Sequence, residues 1–252
     1  MKYLIANWKM KLTIAESMAL AREAREYVES HDTADLHIIL CPSHAALSEV
    51  GKILSGSGMS LGAQDVAQVD RASLTGATSP LHLVELGVAA VIIGHSERRA
   101  YFGETDELVH HKVKAALAHG LNAIVCVGER KEERDRGETE AIVRRQVRAV
   151  VEAETALEKL AVAYEPVWAI GTGTPVHPED AVVQAEAIRD ELAKITGKAE
   201  EVKKVPILYG GSVDGDNVLL FTHSPLNGTL VGTASQSKEG MRALLEALHS
   251  IL

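Results

Sequence analysis

Short runs rich in Val, Ile and Leu alternate along the chain with longer amphipathic segments. The short runs do not alternate apolar and polar residues, as a sheet with one wet face would, so they predict strands that are buried on both faces. Eight strands are predicted in this way: Tyr3–Asn7, Leu36–Cys41, Ser60–Ala63, Ala89–Gly94, Asn122–Val127, Leu160–Glu165, Val205–Tyr209 and Thr229–Val231.

The amphipathic segments between these strands predict helices, and regular alternation of strand and helix is typical of a parallel α/β sheet. The clearest helical patterns are Ile14–Ser30, Thr105–His119, Glu138–Val151, Glu179–Ile195 and Lys238–His249. Eight strand-and-helix units fit a chain of 252 residues, and no linker or repeat divides residues 1–252. We therefore predict one domain, a (β/α)8 barrel. A doubly wound open sheet would alternate in the same way and remains the alternative at this point.

The composition, with 46% hydrophobic and 24% charged residues, is that of a soluble globular protein. The 35 acidic residues outnumber the 26 Lys and Arg residues, which gives a net charge of −9, and they are spread along the chain. This balance argues against a nucleic-acid partner. It also repels phosphorylated metabolites, so a phosphate site must obtain positive potential locally from lysines, backbone amides or helix N-termini.

Cys41 and Cys126 each lie within an apolar run, and neither belongs to a Cys-x-x-Cys pair. We interpret both as reduced core residues, which predicts a cytoplasmic protein. The N-terminal apolar run from Tyr3 to Ala6 is too short for a signal peptide or a membrane span, so no membrane partner is expected.

The C-terminal ends of parallel strands, with the loops that follow them, form one face, where barrels and open sheets alike carry their chemistry. The residues predicted on this face are Asn7 and Lys9 after the first strand, His95, Ser96 and Glu97 after the fourth, Cys126 and Glu129 after the fifth, Glu165 at the end of the sixth, and the glycine-bearing turns Gly210–Ser212 and Gly232–Ser235 after the last two. This face therefore carries groups for acid–base chemistry and for anion binding.

Glu165 ends an apolar strand, and Pro166 and Trp168 follow it before the segment Ile170–Gly173. A carboxylate in this position can act as a base. The glycine-containing segment between stiffer flanks predicts a hinged lid that expels water. A strand-end glutamate that caps a neighbouring helix is the structural alternative, and this residue alone does not decide between the two.

His95 follows an apolar strand at a predicted helix start, so we expect a neutral imidazole that donates a hydrogen bond to a substrate carbonyl. A buried histidine bonded to the backbone is the alternative. Lys9 supplies local positive charge, and Asn7 beside it offers uncharged hydrogen bonds. The glycine turns after the last two strands would present backbone N–H groups to a phosphate, although glycine pairs also mark ordinary turns.

Four blocks of the sequence resemble the signature sequences of the triosephosphate isomerase family, in the family's order and spacing. They are Asn7-Trp8-Lys9-Met10, Gly94-His95-Ser96-Glu97-Arg98-Arg99, Tyr164-Glu165-Pro166-Val167-Trp168-Ala169-Ile170-Gly171-Thr172-Gly173 and Tyr209-Gly210-Gly211-Ser212-Val213. The resemblance runs from end to end. It implies a (β/α)8 TIM barrel, an isomerase of glycolysis and gluconeogenesis. Such an enzyme interconverts dihydroxyacetone phosphate and D-glyceraldehyde 3-phosphate through an enediol or enediolate, without a metal or an organic cofactor.

The resemblance also implies roles for individual residues. Glu165 would move a proton between the two carbons, His95 would serve the oxygens, and Lys9 would stabilise the developing negative charge with help from Asn7. Glu97 would orient the lysine and the histidine. Backbone amides near Gly171, Ser212, Gly232 and Thr233 would hold the phosphate, and the lid would comprise Pro166, Val167, Trp168, Ala169, Ile170, Gly171, Thr172, Gly173, Thr174, Pro175 and Val176.

The sequence departs from the family pattern near the expected phosphate site and lid. Thr233 stands where the family commonly has a second glycine, so a Cβ restricts φ beside the phosphate. Thr174, Pro175 and Val176 replace a more usual hinge that begins with Lys, and Pro175 lowers the conformational freedom of the lid.

A homodimer is the assembly that the resemblance implies. Gln64 begins a segment like the family's dimer loop, and Thr75-Gly76 lies at its far side, where Thr75 would reach the partner's active site near Asn7. The family usually has Glu after this Thr-Gly pair. Ala77 stands there instead and removes one expected contact of Arg98.

Two other functions are weighed against the isomerase. An aldolase or epimerase barrel should carry a Schiff-base lysine or metal ligands deep in its strands, and the predicted strands offer neither. A barrel retained only as a binding scaffold should have lost Glu165, His95 or Lys9, and all three are present. The charged run from Glu129 to Glu140 is interpreted as a solvated loop and helix start, and no metal site is expected.

Overall fold

Eight parallel strands close into a barrel, and each strand pairs with the next one along the chain. The computed structural model describes residues 2–252. The strands are β1 (Lys2–Asn7), β2 (Leu36–Cys41), β3 (Ser60–Ala63), β4 (Val88–Ile93), β5 (Asn122–Val127), β6 (Leu160–Tyr164), β7 (Ile207–Tyr209) and β8 (Gly228–Val231). Because β8 also pairs with β1, the predicted (β/α)8 barrel is confirmed and the open-sheet alternative is wrong.

Helices connect successive strands around the outside of the barrel. Within the described residues the α-helices are α1 (Ile14–Ser30), α2 (Leu47–Leu54), α3 (Pro80–Glu85), α4 (Ser96–Tyr101), α5 (Asp106–Ala118), α6 (Lys131–Asp135), α7 (Thr139–Val150), α8 (Pro178–Thr196), α9 (Ala199–Val202) and α10 (Lys238–His249). Single 3-10 turns lie at His44–Ala46, Leu157–Lys159, Val167–Ala169, Val218–Phe221 and Thr233–Gln236. None of the helices found between residues 2 and 252 is both long and apolar enough to span a bilayer.

Side-chain caps fix where several of these helices begin. Thr13 and Glu16 form a reciprocal capping box at the start of α1, in which the Thr13 N–H donates to Oε2 of Glu16 at 2.8 Å. At α5 the Thr105 hydroxyl accepts from the Leu108 N–H, and at α10 the Ser237 hydroxyl accepts from the Gly240 N–H. Such caps satisfy N–H groups that have no acceptor within the helix. They also explain why the amphipathic pattern located these three helix starts to within one residue.

Boundaries elsewhere differ from the predictions for local reasons. Strand β7 begins at Ile207, two residues after the predicted start at Val205, because Pro206 has no N–H to donate to a neighbouring strand. The N–H of Ile207 instead donates to Oδ1 of Asn227 at 3.0 Å. The short helices α2, α3, α6 and α9 were not among the predicted elements, whereas α4 begins at Ser96, where a helix start was predicted.

Apolar side chains form two clusters that the strands separate. The outer cluster lies between the strands and the helices. The inner cluster fills the barrel with Ile5, Cys41, Ala90, Ile92, Ile124, Cys126, Ala163, Leu208 and Leu230. Burial raises the pKa of both Cys41 and Cys126, so these two free thiols remain protonated members of the core.

The interpretation of the charged run Glu129–Glu140 as a solvated loop is wrong at its start. Glu129 is fully buried, and Glu133 is buried as well. Residues Lys131–Asp135 form α6. The carboxylate of Glu129 is enclosed because it accepts hydrogen bonds from side chains of β6 and of the segment that follows β6.

Closure of the barrel between β1 and β8 requires a glycine. Gly228 pairs with Tyr3 and has φ 147°, and a Cβ on it would lie 2.0 Å from the Tyr3 carbonyl oxygen. We expect Gly228→Ala to lower the free energy of unfolding by more than about 3 kcal/mol in urea denaturation. The control is Gly58→Ala, at φ 78° with no atom within 4 Å of the new Cβ, which should cost about 1 kcal/mol. Equal losses in the two variants would contradict this account of the closure.

Candidate active site

One cavity at the C-terminal ends of the strands brings together most of the predicted site. It is lined by Asn7, Lys9, His95, Glu165, Ile170, Gly171, Gly210, Gly211, Ser212, Val213, Leu230, Gly232 and Thr233. Glu97, the remaining residue predicted to serve catalysis, contacts the cavity through Lys9. Among residues 2–252, no group of three or more His, Cys, Asp or Glu side chains is arranged to hold a metal ion.

Glu165 follows β6 directly and is almost completely buried. Its backbone N–H donates to the carbonyl of Val127 at 2.7 Å, which extends the pairing of β5 with β6. Oε2 accepts a hydrogen bond from the Ser96 N–H at the start of α4, at 3.2 Å. Oε1 has no hydrogen-bond partner in the protein and lies 3.4 Å from Nε2 of His95. Helix capping therefore accounts for one carboxylate oxygen and leaves the other without a hydrogen bond.

Two glycines give Glu165 the room it occupies. A Cβ on Gly128, just after β5, would lie 1.8 Å from the Glu165 carbonyl oxygen. A Cβ on Gly210, just after β7, would lie 2.7 Å from the Glu165 Cγ. Because real Cβ atoms do not approach other atoms this closely, both neighbouring strands must end in glycine for the carboxylate to stand where it does.

His95 is the N-cap residue of α4, and its ring is held by the first turn of that helix. Nδ1 accepts a hydrogen bond from the Glu97 N–H at 3.2 Å. Since a backbone N–H can only donate, Nδ1 carries a lone pair, and the proton of the neutral ring lies on Nε2. Nε2 lies 3.4 Å from Oε1 of Glu165, without a hydrogen bond between them. The backbone hydrogen bond of the structural alternative is therefore present, and it is made by Nδ1.

Lys9 brings a positive charge into the cavity in a strained backbone conformation. Its φ is 51°, and within residues 2–252 it is the only non-glycine residue with positive φ. The Asn7 side chain accepts from the Lys9 N–H at 3.1 Å, and Gln64 Nε2 donates to the Lys9 carbonyl at 2.8 Å. At the other end, Nζ lies 2.6 Å from Oε1 of Glu97. Positive φ costs free energy in a residue with a Cβ, so these contacts hold the lysine where local preference would not.

The glycine turns after β7 and β8 expose backbone to the cavity. A Cβ on Gly211 would lie 2.1 Å from the Tyr209 hydroxyl, and one on Gly232 would lie 3.3 Å from Cε of Lys9. Gly232 precedes the helical turn Thr233–Gln236, and the first N–H groups of a helical turn have no acceptor within it. Thr233 does not lie in the left-handed region, so its Cβ introduces no backbone strain at this turn.

The first end of the lid, residues 166–176, is anchored on a buried carboxylate. Nε1 of Trp168 donates to Oε1 of Glu129 at 2.7 Å, and the Tyr164 hydroxyl donates to Oε2 of Glu129 at 3.2 Å. Burial raises the pKa of Glu129, whereas the two hydrogen bonds and the charge of Arg134 oppose that rise. The sequence analysis missed these roles of Glu129 and Arg134. The available signal was the indole N–H of Trp168, which requires an acceptor when it is enclosed.

The second end of the lid is anchored on Tyr209. The Val176 N–H donates to the Tyr209 hydroxyl at 3.0 Å, and the Tyr209 ring stacks on Phe221 with centroids 3.9 Å apart. Burial raises the pKa of Tyr209 to about 12, so its hydroxyl stays protonated. Gly171 and Gly173, between the two anchors, have φ values of 72° and 77°, a backbone conformation that glycine adopts without strain.

The residues predicted for a dimer loop fall into two groups. Gln64 lies beside the cavity, whereas Thr75 and Gly76 do not line it. Gln64 contacts the site directly through Lys9. Thr75 and Gly76 are exposed and are not among the residues that line this chain's cavity. Arg98 is paired within its own chain, with Asp65 at 2.8 Å and with Glu104, and so does not depend on a carboxylate at position 77.

Comparison with known proteins gives a consistent result. Residues 2–248 match the family model described as triosephosphate isomerase. The triosephosphate isomerase of Carboxydothermus hydrogenoformans is 45% identical over 248 residues, which cover 97% of each chain. That of Aquifex aeolicus is 43% identical over 246 residues, covering 97% of this chain and 98% of the relative. That of Chloroflexus aurantiacus is 45% identical over 233 residues, covering 91% and 92%.

The strain at Lys9 can be measured by comparing two truncations. Lys9→Ala and Lys9→Gly both remove the cation and its contact with Glu97, but only glycine adopts φ 51° without cost. We expect Lys9→Gly to be more stable than Lys9→Ala by about 1 kcal/mol in urea denaturation. At an ordinary position glycine is the less stable of the two. An alanine variant as stable as the glycine variant would show that the backbone here is not strained.

Proposed function

The chain belongs to the triosephosphate isomerase family, and we propose that Glu165, His95 and Lys9 carry out the family's reaction in the cavity at the C-terminal ends of the strands. The reaction interconverts dihydroxyacetone phosphate and D-glyceraldehyde 3-phosphate in glycolysis and gluconeogenesis. Transfer of a proton between two adjacent carbons needs only an acid–base group and stabilisation of negative charge on oxygen. The arrangement of Glu165 with His95 carries the proposal, because one buried carboxylate oxygen is free of hydrogen bonds and lies 3.4 Å from Nε2 of the imidazole.

Glu165 is assigned as the base. Its Oε1 removes a proton from C1 of dihydroxyacetone phosphate, the electrons of the broken C–H bond form a C1–C2 double bond, and the C2 oxygen takes the negative charge. The protonated carboxyl then delivers the proton to C2, which yields D-glyceraldehyde 3-phosphate. Gly128 and Gly210 support this assignment, because they leave the carboxylate room at the cavity wall.

His95 and Lys9 are assigned to the oxygens of the substrate. Nε2–H of His95 donates to the oxygen that gains charge and moves protons between the O1 and O2 positions of the enediolate. Lys9 adds a full positive charge, and Asn7 assists it. Fixed donors and charges of this kind stabilise a developing anion without reorganising during the reaction. Glu97 supports both residues, since its carboxylate pairs with Lys9 and its N–H holds the His95 ring.

The phosphate is assigned to backbone amides near Gly171, Ser212, Gly232 and Thr233. All four residues line the cavity, and three of them, Ser212, Gly232 and Thr233, belong to the turns that lie after β7 and β8. Backbone N–H groups attract a phosphate through their dipoles and need no net charge to do so. With one nearby lysine, they allow a protein with a net charge of −9 to bind a dianion. Closure of the lid over this group would also protect the enediolate, which eliminates phosphate when water reaches it.

The assignment of the base is tested by Glu165→Gln, which preserves shape and removes the proton acceptor. We expect kcat for the triose phosphate interconversion to fall by roughly 10²- to 10⁴-fold. Turnover in D2O should place deuterium on the product carbon in the unmodified protein. Glu158→Gln, an exposed change in the turn before β6, is the control and should retain full activity. If Glu165→Gln kept full activity, another group would be the base.

We also propose that the protein is a homodimer in which a second copy inserts its loop of residues 64–79 beside the cavity. The groove there shares Asn7, Lys9 and His95 with the active-site cavity. Its rim carries Met10, 90% exposed, and Tyr101, 81% exposed, which supports an apolar contact. Thr75 of the second copy would then lie next to Asn7.

Association is tested by sedimentation of the purified chain, which should have about twice the mass of the 27.0 kDa subunit. Leu74→Arg, beside Thr75, should weaken dimerisation at least about tenfold, or about 1.4 kcal/mol. Leu220→Arg makes the same change at an exposed leucine outside the loop and should leave the mass unchanged. A monomer in the unmodified protein would contradict the proposal.

A cytoplasmic location is proposed as well. A glycolytic substrate and two buried, unpaired thiols fit a reducing compartment. No metal and no organic cofactor is assigned to the reaction, because the proposed proton transfers use side chains of the protein alone.

A further inference from the structure

One arginine from outside the lid contacts a residue at each end of it. The guanidinium carbon of Arg134, in α6, lies 4.1 Å from the centroid of the Trp168 ring. Its Nη2 lies 3.5 Å from Oδ2 of Asp180. Trp168 belongs to the helical turn at the start of the lid, and Asp180 is in the first turn of α8, which begins directly after the lid. One cationic side chain therefore contacts both the start of the predicted lid and the first turn of the helix that follows it.

We propose that Arg134 is a positioning residue for the lid, which fixes the Trp168 ring and couples the two lid ends during closure over the substrate. This inference rests on the proposed isomerase function and deepens it. It concerns a residue that touches neither the substrate nor the cavity lining. Its effect is exerted through Trp168 on the segment that includes Gly171.

Trp168 is held from two directions. At the edge of the ring, Nε1 donates to Oε1 of Glu129 at 2.7 Å. Over the face of the ring, the Arg134 guanidinium makes a cation–π contact, for which Trp is the most favourable aromatic partner. The ring also packs against the outer apolar cluster, and the stacked guanidinium covers a face of the ring that the hydrogen bond does not hold.

The same arginine also acts on the charge that anchors the ring. Glu129 is fully buried, and an isolated buried carboxylate is unfavourable. Burial raises the pKa of Glu129, and the hydrogen bonds from Trp168 and Tyr164 oppose this rise, with a smaller contribution from the charge of Arg134. Arg134 therefore contacts the indole directly and adds a minor positive charge near the carboxylate that binds the indole N–H.

The contact with Asp180 is the weaker part of the arrangement. The side chains of Arg134 and Asp180 are 37% and 51% exposed, and exposed ion pairs contribute little to folding. The pair can therefore open and close with the lid at small cost. An ion pair that opens at small cost is better suited to coupling the lid to α8 during closure than to anchoring the structure permanently.

The test uses the full chain with the substitution Arg134→Met, which keeps the length of the side chain and removes the planar charge. We expect kcat/KM to fall about tenfold. We also expect the inorganic phosphate released per isomerisation turnover to rise severalfold, because a poorly positioned lid admits water to the enediolate. This ratio does not depend on how much of the sample is folded, so a loss of stability would not change it.

Quenching of tryptophan fluorescence by acrylamide gives a second measurement. The chain has two tryptophans, and Trp8 is fully buried, so quenching reports on Trp168. Arg134→Met should increase quenching, both alone and with glycerol 3-phosphate, a reduced triose phosphate that cannot be isomerised. Arg136→Met changes an exposed arginine two positions away that pairs with Glu138. It should alter neither the phosphate ratio nor the quenching.

Two milder substitutions keep the inference testable if Arg134→Met folds poorly. Arg134→Lys retains the charge without the planar stacking group. Asp180→Asn removes only the ion pair between Arg134 and α8. Each should raise the phosphate ratio by less than Arg134→Met. Phosphate ratios equal to that of the unmodified protein in all Arg134 and Asp180 variants would overturn the inference. Absence of isomerisation in the unmodified protein would instead overturn the proposed function.

Discussion

The position of the Glu165 carboxylate depends on the missing Cβ atoms of the two strand ends beside it. Gly128 and Gly210 approach Glu165 so closely that any side chain would overlap its backbone or its Cγ. This close approach lets one carboxylate oxygen reach the amide of Ser96 while the other remains unbonded near His95. Closure of the parallel barrel brings the strand ends together on one face, and the two glycines leave the space there that the Glu165 side chain occupies.

The electrostatic design of the site is local, because the chain as a whole is acidic. A net charge of −9 would repel a phosphate dianion unless nearby groups reversed the potential. Lys9 provides the one full positive charge among the residues that line the cavity, held at positive φ by its contacts with Asn7, Gln64 and Glu97. The remaining attraction is left to backbone amides, whose dipoles act at hydrogen-bond distance and add nothing to the net charge.

Much of the fold and of the cavity lining could be predicted from the sequence, because both follow from short-range patterns. Strands β2, β3 and β5 were located at both ends, since each is an apolar run with polar or turn residues at its limits. The cavity residues followed from one topological rule, that parallel strands end on one face. The roles proposed for them came from the resemblance to known signature blocks.

What the sequence did not reveal depends on contacts between distant parts of the chain. Glu129 looked like the start of a solvated loop, and only the meeting with Tyr164 and Trp168 buries it. Arg134 is one of several arginines in a charged run, and nothing local distinguishes it from Arg136. Short helices such as α6 also escape pattern analysis, because so few residues cannot form a stable helix without tertiary packing.

The pairing of β1 with β8 has a consequence for how the chain acquires its fold. These strands come from opposite ends of the described chain, yet they hydrogen-bond along Tyr3–Ala6 and Gly228–Val231. During synthesis, one edge of β1 stays unpaired until the segment that contains β8 has emerged from the ribosome. An open sheet with a free apolar edge is prone to pair with other chains. Cellular yield of this protein should therefore depend on how quickly its last strand follows the first seven, and on chaperones that shield the edge in the meantime.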